Sequence, residues 1–452
     1  MGLRISACKL LAVLLALPLI GGPASTAHGA HPNRAGIDFG VVASSCSPDR
    51  AAAERDSGIQ VVTLDVVWDR YEPAEGQFAT DYIKDLRQKI RLCRDAGLQV
   101  ILGIGLQYPP NWVTNGSSGA YVDQYGGMPN PRQANVVFSQ AVRDSVAAYL
   151  RQVSTDLGFN NFTAIRVGTS NTGELGYPDG VDHAGRPGPS FWAFDQAAQT
   201  GDGLAAGMSS TPLPGWTPGT TEWQGQPITA QQVAQWFQWY SRSLTEAISW
   251  QVELLRSLGY TGSFHLPVAG RGALPKDLES ALSNHLDGRS DPDGALERGL
   301  NYPDQFALLA GLDRQVSTGD PRARIIVDFA GLDDNTAVRA RKANPPQDSC
   351  QRGDTDRLLT RPDTDLWAAQ RWTIANAKLA GLPTVGENPG PPDAPSTGGS
   401  PDSDNEAQQL TKGVSYAQSC HIGMFLLAFE DDLFNKNSGI GLADYSRQIS
   451  SP

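Results

Sequence analysis

Eight short apolar runs, alternating with helical patterns along almost the whole chain, constrain the fold more than any other feature. Because both faces of these runs are apolar, they are typical of strands in a parallel sheet that is covered on both sides. Eight such strand–helix units predict an α/β fold, a single closed (β/α)₈ barrel of the TIM type. The predicted strands are residues 37–42, 59–66, 98–106, 162–169, 264–268, 324–330, 383–386 and 422–429.

The rest of the pattern indicates a barrel with long loops at its carboxyl face. Residues 82–96, 135–157 and 230–258 repeat apolar side chains three and four positions apart, which predicts helices. Two insertions, 183–226 after strand four and 389–404 after strand seven, fall where barrel loops carry chemistry, and we expect the first to form part of the cleft wall. A doubly wound open sheet is the alternative, which the absence of a glycine-rich loop after strand one disfavours.

The first 30 residues resemble an export signal in composition. Arg4 and Lys9 accompany a short apolar stretch, residues 10–20, and small residues follow it. We therefore expect residues 1–30 to be removed and residues 31–452 to form one secreted catalytic domain that has no contact with a membrane. The formal net charge of −12 disfavours nucleic acid as a partner, and the oligomeric state stays open.

The cysteines are compatible with two disulfides. Cys8 leaves with the signal, and an even number in an exported chain permits full pairing. Of the three possible connectivities we prefer Cys46–Cys93 with Cys350–Cys420, because the first two lie near consecutive predicted helices. A buried thiol at Cys93, on the apolar face of its helix, is the alternative. No spacing resembles a zinc site, so neither a metal nor a cofactor is predicted.

Two glutamates stand out by their positions in this pattern. Glu174 follows strand four and Glu387 follows strand seven, and these two strands face each other across an eight-stranded barrel. Both carboxylates are therefore expected to point into one cleft from opposite sides. Glycosidic hydrolysis needs this arrangement, because one carboxylic acid protonates the leaving oxygen while the other carboxylate acts as nucleophile or base. The sequence predicts a glycoside hydrolase that acts on an oligo- or polysaccharide.

Side chains suited to sugars cluster at the same predicted face. Aromatic rings stack on the apolar faces of sugar rings, and carboxylates and amides bind their hydroxyl groups. Packing in the core is the alternative role for each aromatic residue, and a helix cap or a solvated acidic turn is the alternative for the acids. The predicted substrate-binding residues are Asp65, Trp68, Tyr108, Trp112, Asn171, Tyr177, Asn388 and Glu430.

Residues 36–434 resemble the β-amylases of glycoside hydrolase family 14. The chain has G-E-L-G-Y-P at 173–178 where that family has G-E-L-R-Y-P, and it shares the family's G-E-N at 386–388. The resemblance implies that Glu174 is the catalytic acid and Glu387 the catalytic base. Further similar segments are L-D-V-V-W at 64–68, whose aspartate binds the terminal glucose in that family, F-Q-W-Y-S at 237–241 and E-D-D-L at 430–433.

Departures from that family concern the binding of α-glucans. The segment G-L-Q-Y-P-P-N-W-V at 105–113 lacks the family's histidine and aspartate and resembles the Y-x-P-P-x-W-L of family 42 β-galactosidases. V-A-G-R at 268–271 replaces a lysine- and histidine-bearing segment, and Ala428 stands in the place of an arginine. A β-amylase-like site with altered subsites and weak activity on starch is therefore expected. A β-galactosidase-like retaining exo-glycosidase and an inert carbohydrate-binding barrel are the alternatives.

Overall fold

Eight parallel strands close into one barrel in which each strand pairs with its neighbours in sequence and the last pairs with the first. The computed structural model describes residues 36–116, 118–178, 189–289, 294–360, 364–388 and 406–451. The predicted signal and the insertion 389–404 lie outside the described residues. All eight predicted strands are present, so the (β/α)₈ barrel is confirmed and the open sheet is wrong.

Six of the eight strands are shorter than the apolar runs that predicted them, because each of these six runs continues into the loop at the carboxyl face. The largest difference is at strand four, predicted over residues 162–169. A Cβ on Gly168 would lie 2.0 Å from the carbonyl oxygen of Gly173, so the chain already turns back there. The barrel strands are β1 (Asp38–Val41), β2 (Val61–Asp65), β3 (Gln99–Gly103), β4 (Ala164–Arg166), β5 (Ser263–Val268), β6 (Ile325–Phe329), β7 (Thr384–Glu387) and β8 (Met424–Leu427).

Helices surround the barrel, and the three that were predicted are present. The helix predicted to begin at residue 135 begins at Gln140, because Asn135 Oδ1 accepts from Phe138 N (3.0 Å) and holds a turn before the Ser139 cap. The helices are α1 (Pro48–Asp56), α2 (Trp68–Tyr71), α3 (Thr80–Asp95), α4 (Asn111–Thr114), α5 (Gln140–Leu157), α6 (Gln196–Thr200), α7 (Ala230–Ser257), α8 (Pro275–Ser283), α9 (Tyr302–Val316), α10 (Asn335–Ala343), α11 (Asp354–Thr360), α12 (Ala369–Leu379), α13 (Glu406–Ser419), α14 (Glu430–Phe434) and α15 (Leu442–Ser450).

The long helix α7 anchors the loops that follow β4. Thr229 and Gln232 form a capping box at its start, which satisfies backbone donors that the first turn leaves unpaired. Further along, the buried ring of Tyr240 stacks on Tyr177 with centroids 4.0 Å apart, and Trp216 packs edge-on against Trp236. Such aromatic pairs contribute about 0.5–1.5 kcal/mol each beyond the area they bury. The helix therefore fixes the outer layer next to the segment that carries Glu174.

Both disulfides have the preferred pairing. Cys46, just before α1, is bonded to Cys93 on α3, and Cys350, just before α11, is bonded to Cys420 at the end of α13. The alternative of a buried thiol at Cys93 is therefore wrong. None of the helices in the described part of the chain combines the length and the apolar character that a membrane crossing requires.

Candidate active site

A cavity of about 480 Å³ opens at the carboxyl ends of the barrel strands. Six of the ten residues predicted for the site line it, and the loops after β1, β3, β4, β6, β7 and β8 all contribute to its wall. The lining residues are Val42, Asp65, Gly103, Ile104, Leu106, Gln107, Tyr108, Arg166, Gly168, Asn171, Thr172, Gly173, Glu174, Ala330, Glu387, Asn388, Ala428 and Phe429.

Glu387 is the last residue of β7 and its side chain is only 9% exposed. Arg166 Nη2 donates to its Oε1 over 2.9 Å, whereas its Oε2 is buried without a hydrogen-bond partner among the described residues. Burial raises the pKa of Glu387 to about 7, although the Arg166 cation lowers it. Loss of hydration disfavours the charged carboxylate, and a nearby cation favours it. One oxygen of Glu387 is thus anchored and the other has no competing contact.

Glu174 lies in a tight turn that follows β4. Its carbonyl oxygen accepts from Thr169 N (2.9 Å) and Ser170 N (3.0 Å), so the chain folds back on itself around this residue. The turn requires Gly173, whose φ of +78° lies in the left-handed region that glycine adopts at little cost. Leu175 N then donates to the carbonyl of Pro267 over 2.8 Å, which ties the turn to β5. The backbone therefore fixes where the Glu174 side chain begins.

The carboxylate of Glu174 is held through one of its oxygens. Oε2 accepts from Thr172 Oγ1 over 2.8 Å and from Arg298 Nη2 over 2.9 Å. The Glu174 side chain is 15% exposed and that of Arg298 is 9% exposed, so water screens this ion pair little. Glu174 and Glu387 each pair with a different arginine, and both carboxylates line the same cavity.

Beneath the cavity, the barrel interior holds a group of charges that the sequence analysis did not predict. Arg166 projects from β4, and His265 Nδ1 on β5 lies 3.2 Å from Asp328 Oδ2 on β6. Burial lowers the pKa of Arg166, but Glu387, Asp328 and Asp65 together raise it above its usual range. Arg166 is therefore a permanently charged group surrounded by carboxylates.

Asp65 is the last residue of β2, and it lines the cavity. Its register partner on β3 is Gly103, where a Cβ would lie only 1.8 Å from Asp65 Oδ1, so glycine makes room for this carboxylate. Gln107 Nε2 approaches Asp65 Oδ2 to 3.5 Å. Burial raises the pKa of Asp65, and the Arg166 cation lowers it. The placement of Asp65, Tyr108, Asn171 and Asn388 at the cavity agrees with the sequence prediction.

Two aromatic residues predicted to bind substrate lie in the core instead. The Trp68 ring is fully buried, stacks on Tyr149 with centroids 4.8 Å apart, and donates its Nε1 proton to Glu72. Tyr177 is also fully buried, and its hydroxyl donates to the carbonyl of Tyr240 over 3.1 Å. Neither ring is accessible to a sugar, so the core-packing alternative is correct for both.

Trp112 and Glu430 also lie away from the cavity. Trp112 Nε1 donates to the carbonyl of Glu72, and its ring lines a separate surface cavity of about 520 Å³. Glu430 is buried, accepts from Ser44 Oγ over 3.0 Å, and pairs with Arg50 over 2.6 Å. Its role in this structure is to bind the start of α1 to α14. Neither Trp112 nor Glu430 lines the main cavity, so the structure does not bring these two residues to the predicted site.

The insertion after strand four does not line the cavity in its described part, residues 189–226. Phe191 packs edge-on against Trp236, and Phe194 N donates to the carbonyl of Val122 over 3.0 Å. These contacts attach the insertion to α7 and to the loop after β3. The expectation that the insertion contributes to the cleft wall is therefore wrong for its described residues.

Six further residues at or beneath the site were missed. Arg166 carries a sequence signal, since a charged residue inside an apolar run points into the closed interior of a barrel, and His265 and Asp328 carry the same signal. Arg298 reaches Glu174 from a loop 124 positions away, and no local pattern marks it. Gln107 and Phe429 line the cavity from ordinary loop positions.

Comparison with solved structures places this barrel among glycoside hydrolases in fold. The catalytic domain of a β-amylase from Paenibacillus polymyxa superposes with a TM-score of 0.57 at 16% identity, covering 92% of this chain and 99% of that one. A β-galactosidase from Marinomonas ef1 gives 0.53 at 12% identity, covering 91% of this chain and 58% of that one. A β-galactosidase from Halorubrum lacusprofundi gives 0.54 at 15% identity, covering 91% of this chain and 57% of that one.

The resemblance to β-amylases and β-galactosidases is thus confirmed for the fold. This chain spans nearly the full length of the β-amylase domain but little more than half of the two β-galactosidases. No protein-family model and no curated protein matches the chain.

Proposed function

We propose that this protein is a secreted glycoside hydrolase in which Glu174 donates a proton to the leaving oxygen and Glu387 acts as base or nucleophile. The observation that carries the proposal is the meeting of these two carboxylates in one cavity, from the carboxyl ends of β4 and β7. Cleavage of a glycosidic bond requires a proton donor on one side of the bond and a negatively charged carboxylate on the other. Both carboxylates are present, which is evidence against an inert sugar-binding barrel.

The division of roles follows from how each carboxylate is held. Oε2 of Glu387 is buried and has no hydrogen-bond partner among the described residues, so its lone pairs are not engaged by a protein donor. Oε2 of Glu174 accepts two hydrogen bonds, from Thr172 and Arg298, so a donated proton is carried by its Oε1. A proton donor that is held from one side keeps its reactive oxygen in a defined position.

Sugar binding falls to the remaining cavity residues. Tyr108 and Phe429 present rings that are 40% and 47% exposed, on which the apolar face of a pyranose can stack. Asp65, Asn171 and Asn388 supply carboxylate and amide groups for hydroxyls. The cavity is within the usual size range of small-molecule sites, about 300–1,000 Å³. One end of an oligosaccharide is the substrate that fits it best.

A β-galactosidase-like enzyme that retains anomeric configuration is the second candidate. Tyr108, from the segment that resembles family 42, lines the cavity, whereas the loop residues that distinguish β-amylases are not in the sequence. Gly173 before Glu174, as in β-amylases, favours the inverting candidate. The anomer released first, followed by proton NMR of a fresh digest, distinguishes the two because inversion and retention give opposite products.

Export to an oxidising compartment is part of the proposal. Its support is the two disulfides, since bonded cysteines persist outside the reducing cytosol. Mass spectrometry of the protein from culture medium is expected to find a chain that lacks about the first 30 residues, which is the length the signal pattern predicts. A chain retained in the cytosol would contradict this part of the proposal.

The decisive experiment is a substrate screen with matched variants. The mature protein, Glu174→Gln and Glu387→Gln are assayed on aryl glycosides, short oligosaccharides and soluble starch, with Glu279→Gln on the exposed face of α8 as control. We expect the protein and its control to cleave at least one glycoside, with little activity on starch. Each site variant is expected to lose turnover by about 10²–10⁴-fold, the usual contribution of a proton-transfer group. Full activity in either site variant would overturn the proposal.

A further inference from the structure

The interior of the barrel contains an ion pair that the two-carboxylate mechanism does not require. Arg166 on β4 donates to Oε1 of Glu387 over 2.9 Å, and the two side chains are 15% and 9% exposed. Charges this deep in a protein interact strongly because little water screens them, and an unpaired one is costly. Burial of an arginine at the floor of a sugar-sized cavity therefore calls for a functional reason.

We propose that Arg166 is a positioning residue that favours the ionised form of Glu387 and anchors its Oε1, while Asp328, paired with His265, limits how strongly Arg166 does so. The inference rests on the proposed function, because it explains how Glu387 stays competent as a base or nucleophile. Arg166 itself takes no proton and forms no bond to the substrate. Its effect passes through the charge and orientation of Glu387.

Burial alone would make Glu387 a poor base. A carboxyl group in a closed, weakly polar environment holds its proton, and a protonated carboxyl group can neither attack an anomeric carbon nor activate water. Arg166 opposes this by adding a fixed positive charge at hydrogen-bond distance. It also occupies only Oε1, so Oε2 keeps its lone pairs for the reaction. Anchoring and charge therefore come from the same contact.

The charged groups near the Arg166–Glu387 ion pair shift the pKa of one or the other of its two members. Arg166 on β4 lowers the pKa of Glu387, whereas Asp328 on β6 and Glu174 in the turn after β4 raise it. Asp65 on β2 raises the pKa of Arg166. Asp328 is itself bound to His265 on β5, and both of these side chains are almost fully buried. Some neighbours of Glu387 thus raise its pKa and others lower it. The removal of each neighbour is therefore expected to shift this pKa in a known direction.

The test is a direct titration of Glu387, which needs no substrate. In full-length mature protein labelled with ¹³C at glutamate side-chain carboxyls, the Glu387 signal is the one that Glu387→Gln removes. Arg166→Met is expected to raise the pKa of Glu387 by roughly one to three pH units, the usual effect of one adjacent cation. Arg166→Lys, which keeps the charge, is expected to restore most of the original value.

Two further variants separate positioning from a general effect on stability. Asp328→Asn removes a negative charge and is expected to move the pKa of Glu387 downward, opposite to Arg166→Met. Arg324→Met breaks another partly buried arginine–carboxylate pair, with Asp313 over 2.8 Å at the amino end of β6, and is expected to leave Glu387 unchanged. If Arg166→Met does not fold, an unchanged or raised pKa of Glu387 in Asp328→Asn, or a pKa raised by one unit or more in Arg166→Lys, still overturns the proposal.

The outcomes for the two proposals are distinguishable. An unchanged or lowered pKa of Glu387 in Arg166→Met, or equal shifts in Arg166→Met and Arg324→Met, would overturn the positioning role even if the enzyme cleaves glycosides. The expected shifts without any glycoside cleavage would overturn the proposed function and leave the electrostatic coupling standing. Where a substrate is found, the acidic limb of the kcat/KM profile is expected to move with the titrated value.

Discussion

Glu387 and Glu174 are held by similar contacts in different settings. Each accepts a hydrogen bond from an arginine over 2.9 Å. Glu387, however, ends a barrel strand and lies above ionisable side chains contributed by three other strands, whereas Glu174 lies in a turn with a threonine hydroxyl as its second partner. The ionisation of Glu387 is therefore controlled by the barrel interior. The position of Glu174 is controlled by the conformation of a loop.

The largest expected difference between the two sites is their response to the leaving group. Glu174→Gln is expected to reduce turnover of oligosaccharides by about 10²–10⁴-fold, because a sugar alkoxide leaves only when protonated. Aryl glycosides with an acidic phenol need little protonation, so they are expected to lose far less. Glu387→Gln is expected to affect both substrates equally.

The measurement is kcat/KM for a matched pair of glycosides that share the same sugar. If Glu387→Gln shows the dependence on leaving group and Glu174→Gln does not, the two roles are exchanged.

The second expected difference is in pH dependence. Burial raises the pKa of Glu387 to about 7, and a base or nucleophile must be ionised. We therefore expect kcat/KM to fall about tenfold for each pH unit below that value, as for any single required ionisation. Arg298→Met, which alters only the partner of Glu174, is expected to leave this limb in place. An acidic limb near pH 4 in the wild type would show that Arg166 outweighs burial.

A third carboxyl group tests whether burial without a neighbouring arginine hydrogen bond is enough to retain a proton. Glu54 on α1 is fully buried, and neither of its oxygens has a hydrogen-bond partner among the described residues. Burial, followed by the neighbouring Glu430, raises its pKa to about 8. The folded state therefore holds a proton that the unfolded chain releases at lower pH. Its stabilising contribution is complete below the ordinary glutamate pKa and is lost as the pH rises through about 8.

Glu54→Gln is expected to reduce this loss by about 4 kcal/mol between pH 5 and pH 8.5. Urea unfolding of both proteins at the two pH values measures it. Identical pH dependence of the unfolding free energy in the two proteins would mean that Glu54 is ionised in the folded state.

The smallest expected effect comes from the turn that carries Glu174. Thr172→Val keeps the shape of the side chain but removes the hydroxyl that donates to Glu174 over 2.8 Å. Loss of one hydrogen bond, about 0.5–1.5 kcal/mol, predicts a two- to tenfold fall in kcat with the acidic limb unmoved. Thr155→Val on the exposed face of α5 is the control. A shifted acidic limb would show that the two carboxylates titrate as one unit.

The sequence predicted the features that depend on position along the chain. Strand order in a barrel follows chain order, so the placement of Glu174 and Glu387 at one face followed from counting apolar runs. Trp68 and Tyr177 were misplaced because a local pattern does not tell whether a ring near a strand end points into the cavity or into the packing behind it. Arg298 was missed because its contact with Glu174 spans 124 positions and depends on a loop conformation.

The ionisable side chains inside the barrel could be predicted only in part from the sequence. Arg166, His265 and Asp328 each interrupt an apolar run, and that irregularity was visible in the sequence. Their significance was not visible, because it depends on which strands lie side by side. Arg166 and His265 are register partners on adjacent strands, and Asp328 lies on the next strand along the sheet. The register between strands is therefore the information that the sequence pattern lacked.

The closure of the barrel has a consequence for how the chain reaches its native state. β1 pairs with β8, so Asp38 meets Met424 across nearly the whole length of the sequence. A ribosome or an export channel delivers the first of these strands long before the last. Until β8 arrives, the nascent sheet has two unpaired edges, which are templates for association with other chains. Non-local pairings of this kind also form slowly. β1 therefore lacks one of its two strand partners until the end of the chain has emerged.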